Sequence, residues 1–168
     1  NIGDTIKFTS IDPYRIIVSG RIKHFLSAFG EHVISEEVEK AMEAATKLHN
    51  VAIREFTVAP NINPIDMLPH HEWYVEFENF PEDMSAFTKS LDNEMINQNI
   101  YYKDLIDGKI LKSLEVISVE RGGFNNYMKS VGRLGGQNKV PRLSNDRKIA
   151  DKLKTINAWN KTLHLVTQ

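Results

Sequence analysis

Residues 20–39, GRIKHFLSAFGEHVISEEVE, constrain the fold of this chain more than any other stretch. Two short runs, Phe25 to Ala28 and His32 to Ile34, flank Phe29-Gly30-Glu31. That spacing predicts a small hairpin whose glycine takes a conformation other residues resist. Ser35 suits an N-cap, and Glu36 and Glu37 then fall where a helix N-terminus favours negative charge. Val38, Ala41, Met42, Ala45 and Leu48 recur at steps of three and four, which predicts a helix with one apolar stripe. The acidic cluster Glu36, Glu37 and Glu39 reads as the start of that helix and its solvated face.

The rest of the chain extends this beginning. Upstream, IKFTS and YRIIV read as short extended pieces broken at Asp12-Pro13, a dipeptide that favours a turn. Downstream, Val51 to Ala59 is rich in β-branched and aromatic residues and ends at Pro60. Trp73, Val75 and Phe77 alternate with Glu72, Tyr74, Glu76 and Glu78, which predicts a strand with one wet face. Met84, Phe87, Leu91 and Met95 form a second helical stripe, and Leu114 to Val119 a further strand. Phe124, Tyr127, Met128, Val131 and Leu134 predict another helix, and Asn145 to Trp159 a closing one with Ile149, Leu153 and Ile156 on one side. The order hairpin, helix, strand, strand, helix, strand, helix implies an α+β sandwich of ferredoxin-like character. Its helices are expected on one face of a mixed or antiparallel sheet.

Composition excludes several functions. At 168 residues the chain suffices for one cored domain, or for a core carrying a short leader and tail. A formal net charge of -1 gives no general pull on nucleic acid. No apolar run is long enough to span a membrane and no secretory pattern opens the chain, so the cytoplasm is the expected compartment. The absence of cysteine removes disulfides, thiolate metal sites and cysteine nucleophiles.

Among candidate reactive residues, Lys139 stands out. Gly132, Gly135 and Gly136 make the backbone before it permissive, and Pro141 stiffens it just beyond, so the lysine is expected on a loop that swings. A mobile cation suits developing negative charge, although a solvated surface lysine is the commoner outcome for such a segment. A phosphate loop of the Gly-Lys-Ser/Thr type is excluded, because Lys139 follows Asn138. His70, His71 and Glu72 are adjacent on a strand, where side chains alternate between faces, so they are not expected to share a metal ion. Tyr101, Tyr102 and Trp159 read as core or interface aromatics, and no Ser/His/Asp triad is defined.

Residues 20–39 closely resemble the motif that opens the small C-terminal domain of adenylate-forming enzymes, the superfamily of acyl-CoA synthetases, peptide-synthetase adenylation domains and luciferases. The matching positions are Gly20, Arg21, Lys23, Gly30, Glu31, Val33, Glu37, Val38 and Glu39. Gly3-Asp4 resembles that superfamily's Thr-Gly-Asp motif. Within the superfamily, LPHHEWYVEFE and FNNYMKSVGRLGGQNKVPRL resemble the auxin-responsive acyl-acid amido synthetase family and its bacterial relatives, so the likeness extends to about Arg142.

This resemblance implies roles for individual residues. Asp4 would hold the ribose hydroxyls of ATP, and Arg21 would approach the ribose or phosphate side of the same pocket. Lys23 would be the hinge about which a small lid domain rotates. Lys139 would reach the reacting carboxylate and α-phosphate during adenylation. Gly30 and its hairpin would approach the site for acceptor attack. Residues 1–19 would then close a large N-terminal domain, and residues 20–168 would be the mobile lid. That large domain would hold most of the ATP with its Mg2+ and the carboxylic acid, so the isolated chain is expected to be inactive. The acceptor would be an amine, with ligation to coenzyme A as the alternative. A free-standing ferredoxin-like regulatory or interaction module is the reading outside enzymes.

Overall fold

A computed structural model of the chain describes residues 4–21, 25–133, 135 and 139–156. Two small antiparallel pairs come first. β1 (Asp4–Ile11) pairs with β2 (Tyr14–Arg21), so the two extended pieces around Asp12-Pro13 are one hairpin. β3 (Phe25–Leu26) pairs with β4 (Val33–Ile34), and Gly30 between them has φ +94°, the left-handed region in which a side chain is strained. α1 (Ser35–Leu48) follows directly. Its N-cap is Ile34 and Ser35 is its first helical residue. Ile34 carries no acceptor in its side chain, so the cap is supplied from within the helix. Glu37 reaches back and accepts a hydrogen bond from the Ile34 backbone N–H at 3.0 Å.

The main sheet has three strands, β5 (Ala52–Asn61), β6 (His70–Asn79) and β7 (Glu115–Val119), in that order. β5 runs antiparallel to β6, and β7 runs parallel to it. A parallel pair needs a long crossover, and α2 (Met84–Gln98) with α3 (Ile100–Asp107) supplies it. Side-chain caps start both helices: Asp83 accepts from the N–H groups of Ser85 and Ala86, and Asn99 from that of Tyr102. Tyr101-Tyr102 thus belongs to a helix of its own, with Tyr102 buried and Tyr101 exposed. α4 (Gly123–Ser130) is shorter than its apolar pattern predicts, ending before Val131. Residues 148–156 are helical.

Helices cover both faces of the sheet. One core lies under α1, α2 and α3, where Val38, Met42, Phe87, Leu91 and Tyr102 meet Phe56, Val58, Trp73 and Val75. A second core on the other face joins Tyr74 and Val119 to Phe124, Met128, Val140, Ile149 and Leu153. The expected wet face of β6 is therefore covered except at its end: Glu72, Tyr74 and Glu76 are all buried, and Glu78 alone of the four stays exposed. Alternating carboxylates imitate a solvent-facing edge in sequence. Here they are covered because α4 and the closing helical segment bring donors to them. The result is a mixed α+β domain, as the sequence implied, with helices on two faces instead of one.

Candidate functional site

Lys139 lies at the start of a firmly held segment. Val140 is buried in the second core. Beyond it the chain runs alongside β5: Val58 N–H donates to the Arg142 carbonyl at 2.9 Å, Ser144 N–H donates to the Val58 carbonyl at 3.1 Å, and Val58 and Leu143 form a parallel bridge. Thr57 Oγ1 donates to the Pro141 carbonyl at 2.7 Å. Lys139 itself is exposed and lines an open cavity of about 220 Å3 with Arg54, Glu55, Glu76, Phe124 and Asn125. Among the described residues it has no ion-pair or hydrogen-bond partner. Glu76 on the cavity wall is already engaged, accepting from the Gly122 N–H at 2.8 Å and the Phe124 N–H at 3.3 Å, at the start of α4.

The Gly30 hairpin is held from below by a buried carboxylate. Glu31 is 0% exposed; one oxygen accepts from the Phe29 N–H at 2.8 Å, and the other lies 3.0 Å from His71 Nε2. Burial alone would raise the Glu31 pKa, but the hydrogen bonds from His71 and the backbone outweigh it and hold the pKa below the usual carboxylate value. An ionised carboxylate can only accept, so His71 Nε2 carries the proton. The imidazole stacks against Phe29 and Tyr102, with ring centroids 6.4 and 5.1 Å away.

His71 turns to the opposite face from His70 and Glu72, as strand alternation predicts, and the three side chains take different partners. His70 Nδ1 lies 3.2 Å from the Leu68 carbonyl, and His71 faces the hairpin. Glu72 binds the closing segment, accepting from Tyr74 Oη and Arg147 Nη2 at 2.6 Å each and from Lys154 Nζ and Asn61 Nδ2 at 3.0 Å each. Burial opposes its charge, but the donors from Tyr74, Arg147 and Lys154 prevail and set its pKa at about 2. Burial, and then the neighbouring Glu72 charge, push the Tyr74 hydroxyl above its ordinary range and keep it a donor. Among the described residues no group of three or more His, Cys, Asp or Glu could hold a metal ion.

The other candidates separate into those the structure describes and those it does not. Asp4 and Arg21 are register partners at the open end of the β1–β2 hairpin, so the backbone sets these two positions opposite each other. Lys23, Trp159, Leu134 and Gly136 to Asn138 lie outside the described residues.

Sequence reasoning missed the residues that join the two regions. Asn145 bridges to β3 with both ends of its amide: Nδ2 donates to the Phe25 carbonyl at 2.7 Å, and Oδ1 accepts from the Ser27 N–H at 2.9 Å. Arg142 pairs with Glu55 and, at 3.3 Å, with Glu39 of α1. Glu39 is therefore more than a solvated face. Only the proximity of Arg142 to Lys139 in QNKVPR pointed this way, because the partners lie about a hundred residues apart.

A mixed sheet covered on both faces, carrying a hairpin and an exposed lysine on a braced segment, defines an α+β domain of a recognisable kind. The GH3 family C-terminal domain model matches residues 36–148, about two thirds of the chain, and the chain belongs to that family. Both N-terminal hairpins and most of the closing helical segment fall outside the matched span. Among solved structures, the chain is similar to "GH3.15 acyl acid amido synthetase", with a TM-score of 0.71 at 19% identity over 92% of this chain and 30% of that one. It is likewise similar to "AtGH3.15 acyl acid amido synthetase in complex with 2,4-DB", with a TM-score of 0.70 at 19% identity over 92% of this chain and 29% of that one. The chain thus spans less than a third of either enzyme. No curated protein matches it. No described helix is long and apolar enough to cross a membrane.

Proposed function

We propose that this chain is the C-terminal lid of a cytoplasmic, ATP-dependent, AMP-forming ligase that joins a carboxylic acid to an amine. The observation that carries the reading is Lys139: an exposed cation without a partner among the described residues, at the start of a braced segment and beside an open cavity. Membership of the GH3 family and the fold likeness to an acyl acid amido synthetase support it.

In the first half-reaction a carboxylate oxygen attacks the α-phosphorus of ATP and pyrophosphate leaves. Two anions approach each other, and Lys139 offsets the charge that builds on the phosphate oxygens. In the second, the amine nitrogen attacks the acyl carbon, loses a proton, and AMP departs. Rotation at Lys23 would withdraw Lys139 and bring the Gly30 hairpin to the acyl-adenylate. Asp4 and Arg21 would approach the ribose, an assignment consistent with their facing register.

The remainder of such an enzyme would hold the ATP, its Mg2+ and the acid, so the chain by itself would be inactive. Exposed Phe8, Ile11, Tyr14 and Val18 on the β1–β2 hairpin suit packing against that larger part. The test is acid-dependent exchange of pyrophosphate into ATP by the full-length enzyme, followed by product analysis with amines and with coenzyme A. Exchange with amide formation is expected. Absence of exchange across a broad acid panel would end the ligase reading, and thioester formation would replace amine by thiol.

A further inference from the structure

Lys139 can act on a phosphate only if its backbone is held still, since a displacement of about 1 Å at a reacting group costs up to a hundredfold in rate. Three residues further on, one side chain restrains that backbone from two directions. The Arg142 guanidinium lies over the Phe56 ring, 4.5 Å from its centroid. Arg142 Nη1 pairs with Glu55 and donates to the Phe56 carbonyl at 3.0 Å, and Nε reaches Glu39 of α1 at 3.3 Å. Glu55 in turn accepts from the Phe56 N–H at 3.1 Å and lines the Lys139 cavity.

A planar fork with several fixed donors makes all these contacts together, whereas the single ammonium of lysine cannot. Between the fork and Lys139 stand Val140, which is buried, and the partly buried Pro141, whose ring fixes φ. A loosened fork therefore shifts Lys139 instead of being absorbed by slack backbone. Exposed ion pairs contribute little to stability, and the Arg142 side chain is 30% exposed with Glu39 at 56%. Such a cluster is a weak stabiliser and a strong orienter.

We propose that Arg142 is a positioning residue of the adenylation half-reaction, acting through Lys139 by bracing its segment against α1 and β5. The proposal rests on the ligase reading above. The experiment is a double-mutant cycle in the full-length enzyme with Arg142→Lys and Lys139→Ala. It follows pyrophosphate exchange, aminolysis of supplied acyl-adenylate, and melting temperature.

Arg142→Lys is expected to slow exchange about tenfold or more, leave aminolysis within about twofold, and leave the melting transition nearly in place. In the Lys139→Ala background it should cause no further loss. Glu55→Gln, which keeps the size of the partner, should lower exchange in the same direction. Unchanged exchange in Arg142→Lys, equal loss of both half-reactions, or additive losses in the double variant would overturn the proposal while leaving the ligase reading intact. Full exchange in Lys139→Ala alone would instead overturn the assigned role of Lys139, and the brace with it.

Discussion

The Gly30 hairpin and the Lys139 segment are both short and irregular, and they are fastened to the domain by different chemistry. The hairpin is held by a carboxylate with no solvent exposure, Glu31, and by a histidine stacked between aromatic rings. The Lys139 segment is held by backbone hydrogen bonds to β5 and by a partly exposed guanidinium. Removing a partner from a buried polar pair leaves an unsatisfied group and costs stability. Loosening a solvated brace costs little stability, and its cost falls on geometry. The two regions are nonetheless one body, because Asn145 ties β3 to the chain just after Lys139 and Glu39 ties α1 to Arg142. On the proposed ligase reading, such a domain would carry the hairpin and the lysine together.

The largest stability effect that tests this contrast is Glu31→Ala. It orphans His71 and the Phe29 N–H, and is expected to lower the unfolding free energy of the chain by about 3 kcal/mol in urea titration. In the full-length enzyme it should reduce acyl transfer more than adenylation. An Arg142-like pattern, with stability kept and exchange lost, would erase the distinction between the regions.

Glu72→Gln, on the sheet face that receives the closing segment, comes next. The Glu72 pKa falls from 4.5 to about 2 on folding, so its stabilisation is present above pH 4.5 and is lost as pH falls through about 2. That contribution is worth up to about 3 kcal/mol in the wild type. The variant should be less stable near neutral pH and should lack this part of the acid dependence, as followed by circular dichroism melts from pH 7 to pH 2. An unchanged acid slope would show that other carboxylates carry it.

Much of the fold was legible because its signals are local. The α1 stripe, the positive φ of Gly30 and the strands around Phe56 and Trp73 follow from spacing alone. The α3 helix was not legible, since Ile100–Asp107 is short and begins directly after the Asn99 cap. Glu72 and Glu76 misled because polarity in a strand marks solvent only when no donors arrive from elsewhere, and Arg147, Lys154 and the start of α4 arrive from far along the chain. Around the candidate site, the backbone of Gly30 and the exposure of Lys139 were legible, and the contacts that join their segments were not. Arg142 and Asn145 acquire meaning only from partners that folding brings beside them.

The central claim is that Lys139 serves adenylation while the Gly30 hairpin serves acyl transfer. The most direct measurement compares both half-reactions in full-length Lys139→Ala: pyrophosphate exchange, and single-turnover aminolysis of supplied acyl-adenylate. The account predicts exchange reduced about a hundredfold to a thousandfold with aminolysis near the wild-type rate. Undiminished exchange, or equal loss of both, would contradict it.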